Sequence, residues 1–270
     1  PGNVCIDMTK FVRMMIDGML DEMIGEAATP AANYLFTVNN DCEKLSEDAS
    51  AIFHRLTAQG LFLCARGCPD IETAIAFLTT HVQEPDKDDW GKLKRMMKYL
   101  QATKGLVQRL EAGNALVIKW YIDRAHAVHH DMRGHTGAAM TLGKGAAYSS
   151  SSKQKINTMS STETELIAVN DKMGQVLWTK YFLEAQGYDI PTVVFQDNKS
   201  TMLIERHGRA SSTKRTRHIN IRYFFVTDCI QRKNLTVEYC PTDDMLADFG
   251  TKPLQGKKFL DFRRMLLNEG

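Results

Sequence analysis

An α/β domain with a mixed five-stranded sheet and flanking helices, preceded by a mainly helical region, is what this sequence predicts. Three observations carry that reading. Apolar residues recur at helical spacing as far as Gly105, and the period shortens to that of strands near Gly113. Beyond it the elements run strand, strand, strand, helix, strand, helix, helix, strand, helix, the order of an α/β fold. The 270 residues suffice for two domains, expected at 1–112 and 113–270. Hydrophobic content of 43% with 24% charged residues excludes a disordered chain.

In the first region Phe11, Met14, Met15 and Met19 recur at helical spacing after Thr9. The stretch from Glu26 to Asn40 holds Pro30 and small polar residues and reads as a loop. Ser46 is placed to cap a helix carrying Ile52, Leu56 and Leu63 on one face. Pro69 suits the first turn of the next helix, with Ile71, Ile75 and Leu78 inward. Pro85 breaks the chain, and Trp90, Leu93, Met97 and Leu100 form a third stripe. These stripes read as core, and the region contains no catalytic constellation.

In the second region Ala115 to Ile122 is a strand-like run. Gly137 to Ser152 reads as two short strands about a Gly143-Lys144-Gly145 turn. A long helix spans Ser160 to Gly187, with Leu166, Val169, Met173 and Leu177 inward. Thr192 to Gln196 is a short buried strand, and a helix follows from Asn198 to Arg206. After a basic loop come a helix from Ile219 to Gln231, a strand from Leu235 to Cys240 and a final helical segment from about Asp243. Trp120, Tyr121, Trp178, Tyr181 and Phe182 sit in these apolar elements and read as core.

Charge divides the two regions. Before Ala115 there are 12 Lys/Arg against 16 Asp/Glu, and from Ala115 onward 22 against 16. A polyanion would therefore be met by the second region. The six cysteines, Cys5, Cys42, Cys64, Cys68, Cys229 and Cys240, lack the paired spacing of a structural zinc site, and no disulfide framework is indicated. His126, His129 and His130 form an HxxHH cluster with no spaced partner, and read as an exposed loop. No apolar run is long enough to span a membrane, and no signal peptide is present. Beginning at Pro1 without Met, the chain reads as a piece of something longer.

Four acids stand where acids are awkward. Asp123 and Asp197 close strand-like runs, where α/β sheets present side chains to the functional crevice. Asp248 lies near the start of the last helix, and Glu165 in the first turns of the long one. With Ser160 as cap, Glu163 is the capping-box acid, and Glu165, about 200° further round, faces elsewhere. A second register, Thr162 as cap with Glu165 as box partner, stays open. Carboxylates from separate elements suit Mg²⁺, and two such ions roughly 4 Å apart can stabilise the attacking and leaving oxygens of a phosphodiester.

The words around these acids carry a resemblance. WYIDRAHAVHHDMRGHTGAAM (120–140), SSSKQKINTMSSTETELIAV (150–169), VVFQDNKSTMLI (193–204), KRTRHINIRYFF (214–225) and VEYCPTDDMLADFGTKPL (237–254) together resemble the ribonuclease H domain of copia-type LTR retrotransposon Pol polyproteins. The stretches 53–78 and 88–105 resemble the thumb and connection that follow the polymerase palm. The resemblance implies a ribonuclease H-like fold and hydrolysis of the RNA strand of an RNA–DNA hybrid. It places Asp123, Glu165, Asp197 and Asp248 as catalytic and metal-binding acids for two Mg²⁺ ions, with Mn²⁺ as a substitute. It also implies the polymerase palm and fingers as partners, and an intracellular, cytoplasmic or retrotransposon-particle setting. A Tyr-x-Asp-Asp word is absent, so no polymerase activity is expected.

Hybrid phosphates and sugars would be met by Asn198, Ser200, Arg209, Ser212, Lys214, Arg215, Arg217, His218 and Arg222. The strand would be recognised by 2′-hydroxyls and groove shape. Two departures stand out: Arg124 follows the first acid, and Gly250 stands where an apolar residue is usual. They leave open a catalytically inactive nucleic-acid-binding module, or a structural fragment of a decayed reverse transcriptase.

Overall fold

A computed structural model describes residues 2–19, 23–113, 116–157, 161–199, 202, 220–232 and 235–269. In chain order its elements are β1 (Asn3–Ile6), α1 (Thr9–Asp17), α2 (Glu47–Cys64), α3 (Glu72–Thr79), α4 (Lys87–Ala102), β2 (Gln108–Ala112), β3 (Ile118–Ala125), β4 (His135–Thr141), β5 (Gly143–Lys144) and β6 (Tyr148–Lys153). There follow α5 (Ser161–Ala185), β7 (Thr192–Gln196), α6 (Asn220–Gln231), β8 (Thr236–Tyr239), α7 (Asp248–Thr251) and α8 (Gly256–Leu267).

Local chemistry sets the helix starts. The Ser46 hydroxyl accepts a hydrogen bond from the Ala49 N–H and caps α2. Asp86 and Asp89 form a reciprocal capping box at α4. Pro69 opens a 3₁₀ turn that leads into α3. The first region is mainly helical, as expected, and also carries two short strands, β1 and β2, which pair antiparallel from Asn3↔Glu111 to Ile6↔Gln108. These are strands of four and five residues, paired to each other across about a hundred residues and, for β2, also to β5, so the local sequence carries little period to reveal them.

The second region is the expected mixed sheet, in the order β6-β4-β3-β7-β8. Strands β6, β4 and β3 form an antiparallel meander, and β3, β7 and β8 are mutually parallel. One face, with Ile118, Trp120, Ile122 and Val194, packs on Ala168, Val169 and Met173 of α5 and Val226 of α6. Trp178, Tyr181 and Phe182 are exposed, against the expectation of core positions. At about 100° per residue they turn away from the 166–169–173 stripe, and Trp178 stacks on Phe182 in solvent.

The other face packs on α7 and α8, and there it meets the helical region. Phe249, Phe259, Phe262 and Leu266 share one core with Val12, Phe53, Phe77, Leu93 and Tyr99. The Thr73 hydroxyl of α3 donates to the Phe249 carbonyl at 2.5 Å. Buried Tyr99 donates to Asp70 and accepts from Arg263 of α8. Packing therefore runs continuously across residue 113.

Candidate active site

Asp123 lies inside β3, not at its end as the sequence suggests, because pairing with β4 runs on to Ala125↔His135. The parallel ladder to β7 stops at Tyr121↔Phe195, so Asp123 projects beyond it. Asp197 follows the last residue of β7, and the Gln196 side-chain amide donates to the Ile122 carbonyl at 3.1 Å, tying the two strand ends. Glu165 approaches on α5 and is 1% exposed. The start of α5 is held by Gln154, whose amide donates to the Thr136 hydroxyl and to the Thr164 carbonyl. His126 Nδ1 lies 2.8 Å from the Thr164 hydroxyl.

Carboxylate oxygens of Asp123, Glu165 and Asp197 come within 4.8 Å of one another. Among the described residues this is the one such group of three or more potential metal-binding side chains. The donor set fits a hard divalent cation, which prefers carboxylate oxygens. A second feature points the same way: Glu165 Oε1 is buried without a hydrogen-bond partner. Glu165 Oε2 is 2.6 Å from Arg124 Nε. The Nε–H is not aligned on that oxygen, so the contact is an ion pair rather than a directed hydrogen bond.

Asp248, on α7, lies close enough to Asp123 to raise its carboxyl and stands outside the three-acid group. It is fully buried and paired to two ammonium groups, Lys252 at 2.5 Å and Lys258 at 3.0 Å. Lys252 also reaches 3.7 Å from Asp123 Oδ2, and the Thr251 hydroxyl donates to that oxygen at 2.7 Å. Lys252, Lys258 and Thr251 were not anticipated. The one sequence signal was the i,i+4 spacing of Asp248 and Lys252 on a helical segment.

Two glycines bring α7 this close. Gly137 pairs with Asp123 across the ladder. A Cβ at Gly137 would lie 2.6 Å from the Ala247 carbonyl oxygen and 2.8 Å from Thr251 Cγ2. A Cβ at Gly250 would lie 3.0 Å from the Gly137 Cα. Gly250, anomalous in the sequence, is thus one half of a close helix–strand contact.

A polar chain supports the same turn. Ser151 donates to the Gly250 carbonyl at 2.7 Å, and His135 Nε2 lies 2.7 Å from Ser151 Oγ. His129 Nε2 is 2.9 Å from His135 Nδ1. Burial pushes His129 down to about 4 and His135 down to about 3, so both rings are neutral. The expected exposed histidine loop holds for His126 and His130 alone; His129 is buried against Phe36 because its partner, His135, lies on β4.

Burial also dominates the acids. It pushes Asp123 up to about 7, helped by Asp248 and opposed by Lys252 and Thr251. It pushes Glu165 up to about 8, helped by Asp123 and opposed by Arg124. Lys252 is raised despite its burial, because Asp123 and Asp248 favour the ammonium.

Of the expected nucleic-acid contacts, Asn198 is half-buried directly after Asp197. Ser200, Arg209, Ser212, Lys214, Arg215, Arg217 and His218 lie outside the described residues. Arg222 falls on α6, with its side chain outside them.

A five-stranded sheet of this order and mixed sense, with acids brought together from its central strand, a neighbouring strand end and a flanking helix, defines a ribonuclease H-like domain. No family model matches the chain. The retrovirus-related Pol polyprotein from transposon RE2 of Arabidopsis thaliana is 32% identical over 201 residues, covering 73% of this chain and 14% of that polyprotein. The Pol polyprotein from transposon TNT 1-94 of Nicotiana tabacum is 26% identical over 260 residues, covering 94% of this chain and 19% of its own length. By sequence the chain is similar to the Pol polyproteins of these transposons, of whose length it spans less than a fifth. Among solved structures, LC11-RNase H1 isolated from compost aligns with a TM-score of 0.37 and 15% identity over 50% of this chain and 93% of that one. Among the described residues no helix is long and apolar enough to cross a membrane.

Proposed function

We propose that this chain hydrolyses the RNA strand of an RNA–DNA hybrid during retrotransposon reverse transcription, as an endonuclease. The observation that carries the reading is the convergence of Asp123, Glu165 and Asp197 within 4.8 Å, with one Glu165 oxygen left unpartnered. Asp123, Glu165 and Asp197 would hold one divalent ion, and Asp123 with Asp248 a second. Two Mg²⁺ ions, or Mn²⁺ in their place, would supply an activated water and neutralise charge at the attacked phosphate.

The chain's own residues do the rest. Asp123 would contribute to holding both ions. Glu165, near the start of α5, would offer its unpartnered oxygen to an ion and orient the attacked strand. Asp197 is steadied by the Thr242 hydroxyl, which donates to its Oδ2 at 3.2 Å. Asn198 and Ser200, with Arg209, Ser212, Lys214, Arg215, Arg217, His218 and Arg222, would grip the hybrid's phosphates and sugars, which makes affinity fall steeply with salt. The wider partners are the polymerase palm and fingers, and the setting is the cytoplasm or a retrotransposon particle.

One observation favours a second reading. The Arg124–Glu165 ion pair places a fixed cation against the cluster, as an inactive hybrid-binding module would tolerate. A labelled hybrid, incubated with the whole chain in Mg²⁺ beside Asp197→Asn, decides between them. RNA-strand cleavage by the native chain, reduced at least about a hundredfold in the variant, is expected. Salt-sensitive binding without cleavage by either protein would establish the inactive module instead.

A further inference from the structure

We propose that the Lys252 ammonium is a resident cation at the position a second divalent ion needs. The metal-free site is then built for one ion, and a second enters only by displacing Lys252. The inference rests on the reading of the three-acid group as a metal site and adds to it a residue with a defined competing role.

The two halves of the site are unequal. In the group of Asp123, Glu165 and Asp197, a fully buried carboxylate oxygen of Glu165 has no donor. Around Asp248 no oxygen is free: Oδ1 holds Lys252 at 2.5 Å and Oδ2 holds Lys258 at 3.0 Å. Lys252 reaches from Asp248 towards Asp123, at 3.7 Å from Oδ2, so it spans the same two acids that a second ion would bridge. An ammonium in contact with Oδ1 and a divalent ion bound to that oxygen exclude one another by size and by charge.

Lys252 is also built to leave. Its side chain is 40% exposed while Asp248 is 1% exposed. A flexible four-carbon stem lets the charged head swing into water without moving α7. Lys258, on α8, can stay on Oδ2 and keep Asp248 neutralised during the exchange.

Mn²⁺ binding to the whole chain, without nucleic acid, tests this by calorimetry and by the electron paramagnetic resonance of free Mn²⁺. The native chain should bind one ion well. Lys252→Gln should gain a second ion at least about tenfold tighter than any second ion on the native chain, a change of the size expected for one ion pair. Lys252→Arg should behave as the native chain does. In the native chain itself, the Lys252 ammonium resonance should persist at one equivalent of Mg²⁺ and disappear into exchange with water at high Mg²⁺; this readout needs no variant. Two ions on the native chain, as tight as on Lys252→Gln, with an unchanged ammonium resonance, would overturn the proposal while leaving the metal site intact. No ion on either protein would overturn the metal-site reading, and the proposal with it.

Discussion

Glu165 is held under opposed demands: burial favours its neutral form, while the proposed chemistry needs its anion. Its carboxyl is raised from an ordinary 4.5 to about 8, and that of Asp123 from 3.8 to about 7. The folded chain therefore binds protons that the unfolded chain has already released. Stability from these groups is fully present below the ordinary carboxylate range and is lost as pH rises towards about 8. A bound divalent cation favours the ionised acids and reverses the trend. In metal-free buffer the melting temperature should fall between about pH 4 and about pH 8, and Mg²⁺ should raise it most at the upper end. Scanning calorimetry with and without Mg²⁺ measures both slopes. An equal Mg²⁺ effect at both ends would mean that the two acids are not the groups to which the ion is linked.

At the scale of elements, the site depends on how closely α7 lies on β4. Helix–strand contacts of this kind need a surface without side chains, and Gly137 with Gly250 provides it. Gly137→Ala would put a methyl group 2.6 Å from the Ala247 carbonyl oxygen, so α7 must move outward. Overpacking of this type costs about 1–3 kcal/mol. Urea unfolding should show that loss, and cleavage should fall with it because Asp248 and Thr251 move away from Asp123. A variant of native stability would show that α7 is free to retreat at no cost. The same contact gives Gly250 a structural role: a Cβ there would lie 3.0 Å from the Gly137 Cα and 3.1 Å from the Ser150 carbonyl oxygen.

At the scale of the molecule, the helical region and the sheet are not independently packed. Phe249, Phe259, Phe262 and Leu266 lie in one core with residues of α1, α2, α3 and α4. The Thr73 hydroxyl reaches across to the turn that carries Asp248. The whole chain should therefore melt in a single calorimetric transition, and a fragment beginning at residue 113 should bind a hydrophobic dye that the whole chain does not. Two separate transitions would instead make the ranges 1–112 and 113–270 autonomous folding units.

The sequence by itself determined the five-stranded sheet, the Ser46 cap of α2, and three acids, Asp123, Glu165 and Asp197, that the fold brings together. Those features rest on local signals: apolar period, capping residues, and short words around each carboxylate. Tertiary structure alone decided the rest. The β1–β2 pairing joins segments about a hundred residues apart, so no window of sequence contains it, and the His129–His135 contact depends on how the loop folds back onto β4. The same holds for the exposure of Trp178, Tyr181 and Phe182, since an aromatic residue on a helix is inside or outside only by reference to what packs against it. Lys252 is the clearest instance. Its spacing from Asp248 is written in the chain, but its reach to Asp123 exists only because two glycines, more than a hundred residues apart, let a short helix settle against the strand beside Asp123.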